Sequence, residues 1–216
     1  APFGFGKVNQ CGRLDTAYFI NLYREYLNEK GIFINERFDY SSIEITSNGI
    51  NYKGVSAKTI VFCEGFGVLQ NPFFNYLPLN GTKGELITIH APDLKLNQII
   101  KSAVFVIPLG HDLYSVGSTY AWDDKTGLPT AGAREELESK LKRFITCDYK
   151  VVKHVAGIRT TVKDRRPLVG QHPKHEHLYI LNGLGTRGVL IGPYVALHLF
   201  NAIYKNSPLE LELSID

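Results

Sequence analysis

Two arginines stand where an anion could be held. Arg159 lies in GIRTTVKDRRPLVGQHP (residues 157–173), between a Gly-Ile pair and two threonines, and Arg187 lies inside LNGLGTRGVLIGP (residues 181–193). A guanidinium offers a rigid fork of donors that matches a carboxylate and stays charged at any working pH. Alone, the first stretch could equally be a basic turn closing a hairpin, steadied by an Arg159–Asp164 ion pair, and Arg187 could be a solvated loop residue. Glycines at 183, 185, 188 and 192 let the backbone take positive φ and approach a flat ligand. A helix after them would aim free N–H groups and a partial positive charge at the loop. A tight strand-to-helix turn packed on the core has the same pattern.

Other chemistries find little to work with. Cys11, Cys63 and Cys147 lie far apart, and an odd count without CxxC spacing argues against both a disulfide framework and a zinc site. A reducing, cytoplasmic setting fits. The seven histidines lack acidic or thiolate partners at ligand spacing, so no metal is expected. His175 and His177 are expected to decorate a loop, and His154 and His198 to be structural. The net charge of +3 arises from nearly balanced acids and bases, and the dense cluster Lys163–Arg166 contains Asp164, so neither nucleic acid nor a membrane surface is an expected partner. The apolar runs are too short to cross a bilayer. The Ala1-Pro2 start and the lack of methionine imply that Ala1 is not the natural start of translation.

The elements around these residues change texture along the chain. RLDTAYFINLYREYLNEKG (13–31) reads as a helix with Asp15 or Thr16 as N-cap and Gly31 as its end. Ile32–Ile34 follow like a strand. SSIEIT and INYKGV surround Ser47-Asn48-Gly49, a hairpin signal, and KTIVFCEGFG (58–67) reads as a fully buried parallel strand running into a glycine turn. From Pro78, KGELITIHA, SAVFVIPLG and LYSVGSTYA look like an antiparallel sheet, and GAREELESKLKRFI is an amphipathic helix with Leu137, Leu141, Phe144 and Ile145 on one face. VVKHVAGIR and HLYILNGLG are further strands, and a closing helix is predicted from Pro193 to about Tyr204, with the proline in its first turn.

With these elements in place, AGIRTTVKDRRPLVGQHPKHEHLYILNGLGTRGVLIGPYVALHL closely resembles the C-terminal signature of the FAD-dependent D-amino-acid oxidase superfamily, most nearly its glycine oxidase and sarcosine oxidase branch. The matching positions are Gly157-Ile158-Arg159, Asp164-Arg165-Arg166-Pro167-Leu168-Val169-Gly170, the strand Leu178–Leu181 and the turn Gly183–Gly192. Upstream, GRLDTAYFINLYREYLNEKGI, KTIVFCEGFG, NGTKGELITI and VFVIPLGHDLYSVGSTYAWDD are similar to further family segments. The family's opening GxGxxG turn, which binds the ADP half of FAD, does not occur here. The resemblance therefore implies a fragment. Its expected fold is α/β plus α+β: a substrate domain with a largely antiparallel sheet and a helix (78–152), inserted in the remaining parts of a Rossmann-like FAD-binding domain (1–77 and 153–216).

The resemblance also assigns roles. Arg159 would grip a substrate carboxylate, with Arg187 as a second anion contact or a lid. Phe105 would stand where members often carry a tyrosine, and Tyr120 or Tyr114 could compensate for the lost hydroxyl. Cys63, Glu64 and Gly65, then Gly157, and Gly185, Thr186, Arg187, Gly188, Val189 and Leu190 would border FAD. Glu64 stands where a small residue is usual. The cofactor breaks the bond, so no protein nucleophile is required. The implied activity is oxidation of an amino acid or N-substituted amino acid, with the fragment alone inactive and without tightly held FAD. The alternative is a module of the same family that binds a small carboxylate or a protein without turnover. An uncovered strand edge would then favour a homodimer.

Overall fold

The computed structural model describes residues 4–215, so the Ala1-Pro2 start lies outside the described residues. The chain divides into two compact units, residues 1–42 and 43–216.

In the first unit, α1 (Thr16–Glu29) starts where Asp15 Oδ1 accepts from the Tyr18 amide at 3.1 Å. It ends through Gly31 at φ +66°, a conformation glycine adopts without a Cβ penalty. The aromatic residues recur at helical spacing and stack along one side, Phe19 on Tyr23 and Tyr23 on Tyr26. Ile32–Ile34 form no strand. Phe33 instead lies against Arg24, whose Cζ is 5.9 Å from the ring centre.

The second unit holds three sheets. β1 (Ile43–Thr46), β2 (Gly49–Tyr52) and β3 (Val55–Ala57) form an antiparallel meander. Lys53 and Gly54 both take positive φ between β2 and β3, the geometry that matches a tight hairpin to strand twist. INYKGV is therefore two strands and a turn. β4 (Ile60–Phe62) is shorter than expected and only Phe62 is buried, because among the described residues its one strand neighbour is β11 (His175–Asn182), to which it runs parallel. β10 (Leu168–His172) completes that sheet on the far side of β11. His175 and His177 thus open a strand, with His175 packed on Phe73 and His172.

β5 (Leu79–His90) is the spine of the third sheet, with β8 (Leu113–Gly117) on one side and β9 (Lys150–Val162) on the other. β7 (Phe105–Gly110) and β6 (Ile100–Lys101) extend it beyond β8, and all its pairings are antiparallel. α2 (Ala131–Leu141) begins where Thr130 Oγ1 accepts from the Ala133 amide. It buries Leu137 and Leu141 against Ile87, Ile89, Val106 and Val116. The helix ends before Phe144 and Ile145, yet both still pack on that core. α3 (Gly188–Lys205) starts five residues before Pro193. The proline falls in the second turn, where the helix forgoes the hydrogen bond its N–H would have made. Val195 and Leu199 of α3 pack with Val169 and Leu213. The second unit thus joins a small α/β layer to an antiparallel sheet with its own helix, the combination expected.

Candidate substrate and cofactor site

Side chains alternate along β5, so one strand serves two surfaces. Ile87 and Ile89 face α2, and Lys83 and Glu85 lie on that same side. Thr82, Gly84 and Leu86 face the other way. Register carries the second face across the sheet: Thr82 pairs with Arg159, Gly84 with Gly157, and Leu86 with Gly117, which in turn pairs with Phe105. Arg159 and Phe105 therefore share one face. Two of its glycines are filled by longer neighbours. A Cβ on Gly84 would overlap the Arg159 guanidinium, and one on Gly117 would overlap Leu86 and crowd Phe105. At Gly157 a Cβ would meet nothing within 4 Å, which leaves bare backbone beside the arginine.

The guanidinium is held by neutral groups. Nη2 donates to Ser118 Oγ at 2.7 Å, and Nη1 and Nη2 both reach the Thr119 carbonyl at 3.4 Å. Tyr120, 61% exposed, lies over it with its ring centre 4.5 Å from Cζ. Thr119 is anchored in turn, because Glu85 N donates to its Oγ1 at 3.0 Å and its own amide donates to Glu85 O. No carboxylate pairs with Arg159 among the described residues. Asp164 is taken by Arg166, with Nε to Oδ2 at 2.7 Å, so the ion pair that would have made Arg159 a turn-stabilising residue does not form.

Two of the residues suggested for cofactor contact, Gly65 and Gly185, lie beside the next residue of β9, Thr160, whose side chain alternates to the face opposite Arg159. A Cβ on Gly65 would lie 3.5 Å from Thr160 Cγ2, and one on Gly185 would lie 3.9 Å from the Thr160 carbonyl. Both glycines have positive φ, which lets the two turns close on the strand. Asn182 Nδ2 donates to Gly65 O at 2.9 Å and ties the end of β11 to the turn after β4. Beyond the short 3-10 turn Gly185–Arg187, α3 begins with no side-chain cap, so its first N–H groups remain available to an anionic or carbonyl edge. Val189 and Leu190 are exposed there. The glycine turn and the uncapped helix start fit a flat group with a polar edge. Cys63 is exposed overall, but partial burial of its thiol, aided by Glu64, pushes its pKa up. Glu64 accepts from Asn71 Nδ2 at 2.7 Å, which accounts for an acid at this strand end as a local tie. Arg187 donates from Nη2 to the Arg165 carbonyl and is held toward the 163–166 loop.

Sequence reasoning missed the polar network on the opposite side of β5. Lys83, fully buried, lies 2.5 Å from Asp124 Oδ2 and 3.3 Å from Glu85 Oε1. Glu85 also accepts from the Thr130 amide and hydroxyl. His154 Nε2 approaches Glu85 Oε2 to 2.8 Å without hydrogen-bond alignment. Burial alone would raise the Glu85 pKa, but the Thr130 and Lys83 hydrogen bonds outweigh it and hold the carboxyl low. The Lys-Gly-Glu triplet was the available signal, since two charges flanking a glycine in an apolar strand require buried partners.

Residues 4–202 match the family described as FAD dependent oxidoreductase. Glycine oxidase from Bacillus subtilis (strain 168) is 28% identical over 134 residues, covering 59% of this chain and 36% of the enzyme. The tRNA 5-methylaminomethyl-2-thiouridine biosynthesis bifunctional protein of Aromatoleum aromaticum is 29% identical over 180 residues, covering 73% of this chain and 28% of that protein. Among solved structures, iminodiacetate oxidase from Chelativorans sp. BNC1 superposes with a TM-score of 0.64 at 21% identity, covering 79% of this chain and 50% of the other, which shows a shared fold. The chain spans half or less of the length of these proteins.

Proposed function

The chain belongs to the FAD dependent oxidoreductase family, and from that premise we propose that the protein it forms part of oxidises an amino acid or N-substituted amino acid held by its carboxylate on Arg159. The observation that carries this reading is a half-buried guanidinium with no acidic partner among the described residues, on a sheet face with bare backbone beside it. A charge kept from its counter-ion in such a place is suited to one brought by a ligand. Glycine oxidase among the relatives agrees with a small carboxylated amine.

FAD, when bound, would supply the acceptor for the hydride leaving the substrate Cα. The residues fitted to hold it are Gly65, Gly157, the turn from Gly185 to Gly188, and the uncapped start of α3 with Val189 and Leu190. The chain's own contribution is orientation. Fixing the carboxylate at Arg159 restricts how Cα meets the cofactor, which turns collision into a near-unimolecular approach. Ser118 and Thr119 keep the guanidinium from swinging out, and Tyr120 lies over one face of it.

The test is an absorbance spectrum of the protein expressed from its natural start, followed by titration with small amino acids and their N-methyl forms. Flavin absorbance that substrate bleaches supports the proposal. A well-folded, colourless protein that binds carboxylates without turnover would favour a binding module of the same family.

A further inference from the structure

Gly84 sits in the interior of β5, a long and mostly buried strand, where glycine weakens a strand because it adds backbone entropy and packs nothing. Its backbone does not demand glycine, since Gly84 is absent from the positive-φ residues. What a side chain there would strike first is a single group. The three atoms nearest a Cβ at this position are Nη2, Cζ and Nη1 of Arg159, all closer than real contacts allow. The neighbouring floor glycine differs, for a Cβ on Gly157 enters open space.

We infer that Gly84 is a positioning residue for Arg159: the missing side chain is the seat in which the guanidinium rests against β5, within reach of Ser118 Oγ and the Thr119 carbonyl and beneath Tyr120. The inference rests on the reading of Arg159 as the carboxylate grip and adds what sets its pose. Without the seat the guanidinium must rise from the sheet, lose the 2.7 Å bond to Ser118 and leave the Tyr120 ring. Arg159 remains charged in either pose, so the loss is one of placement.

Three variants of the full-length, FAD-loaded protein test this: Gly84→Ala, Arg159→Ala and the double variant. Sodium acetate is the probe, its Kd read from the shift it causes in the flavin spectrum, and Tm is measured in parallel. Gly84→Ala is expected to weaken acetate binding about tenfold or more, the scale of one lost charge-assisted contact. Added to Arg159→Ala, it should weaken acetate no further. Tm supplies a change of sign: Gly84→Ala lowers it while the arginine is present, and leaves it unchanged or raises it once the arginine is gone, as expected where only chain entropy remains. Wild-type acetate affinity in Gly84→Ala, with Arg159→Ala impaired, overturns the inference alone. Equal loss of Tm in both backgrounds also overturns it. If Gly84→Ala does not fold, the double variant decides: its folding supports the seat, and its failure shows that residue 84 is glycine for another reason. Unchanged affinity in Arg159→Ala overturns the carboxylate grip itself, whatever Gly84→Ala does.

Discussion

The two faces of β5 treat charge in opposite ways within three residues. On the face toward α2, Lys83 is buried with Asp124 and Glu85 as partners, and Thr130 donates to both carboxylate oxygens of Glu85. On the other face, Gly84 seats a cation whose partners are a hydroxyl and a carbonyl. A buried charge left without a counter-ion costs several kcal/mol, so the inner network had to be closed by the chain itself. The outer one is neutral-bonded and half-exposed, which allows a visiting anion to complete it. The first arrangement serves folding, and the second is the one we propose for recognition.

That division breaks most sharply if a core substitution alters recognition. Leu137 is wholly buried between α2 and the sheet, and Leu137→Ala should cost about 3–5 kcal/mol of stability through lost burial and the cavity left behind. KM for carboxylated substrates should remain near wild type at temperatures where the variant is folded. Thermal melts and steady-state kinetics on one preparation check both halves. The reverse case is Arg159→Ala. It should raise KM for an amino acid by about a hundredfold, or roughly 2–3 kcal/mol, while the corresponding decarboxylated amine loses little and Tm moves slightly. Equal losses for acid and amine would place Arg159 outside the substrate site.

The inner network can be separated from the rest by pH. The hydrogen bond from Lys83, then those from Thr126, hold the Asp124 carboxyl well below the usual carboxylate range, and Glu85 is also held low. In the unfolded chain both titrate near pH 4. Their contribution to stability is therefore complete above that value and fades as pH falls through the lower folded values. Lys83 has the opposite sign. Its bond to Asp124 outweighs burial and raises its pKa above the ordinary 10.5, so its contribution is full below that and lost at higher pH. Lys83→Met should lower Tm by several degrees at neutral pH, and the gap to wild type should narrow in acid once the carboxyls protonate. A gap that stays constant from neutral pH to below pH 3 would mean that the ion pairs contribute no net stability.

How much of this was legible beforehand depends on whether the information is local. The strand that carries Arg159, the glycine turn at 183–188 and the α2 core positions follow from patterns within short windows, whereas the role of Arg159 came from the family resemblance. Asp15 as a cap is likewise a contact across three residues. The seat at Gly84 is not local, since it depends on the register by which Thr82 meets Arg159 and on Ser118 arriving from the neighbouring strand. Lys83 and Asp124 are 41 residues apart, and nothing near Asp124 marks it as a buried lysine's partner. Pro193 misplaced the start of α3 because proline is favoured in a first turn, whereas the helix begins at Gly188 and carries the proline in its second turn. Glu64 looked anomalous against a family pattern until Asn71, seven residues on, supplied the reason.

Phe105 offers the gentlest test of the recognition face. Its Cζ lies close to Gly117, one residue from the Ser118 that holds Arg159, so a hydroxyl added at Cζ is added near that residue. If the substrate carboxylate sits at Arg159, Phe105→Tyr should supply one more donor and lower KM a few-fold, in keeping with about 1 kcal/mol for a neutral hydrogen bond. The decarboxylated amine should not benefit, because it has no oxygen to accept. An unchanged KM for both compounds would move the carboxylate away from β7 and leave Tyr120 as the aromatic that shapes its approach. A rise in KM for both would mean that the bare ring, and not a missing hydroxyl, is what this protein's substrate requires at position 105.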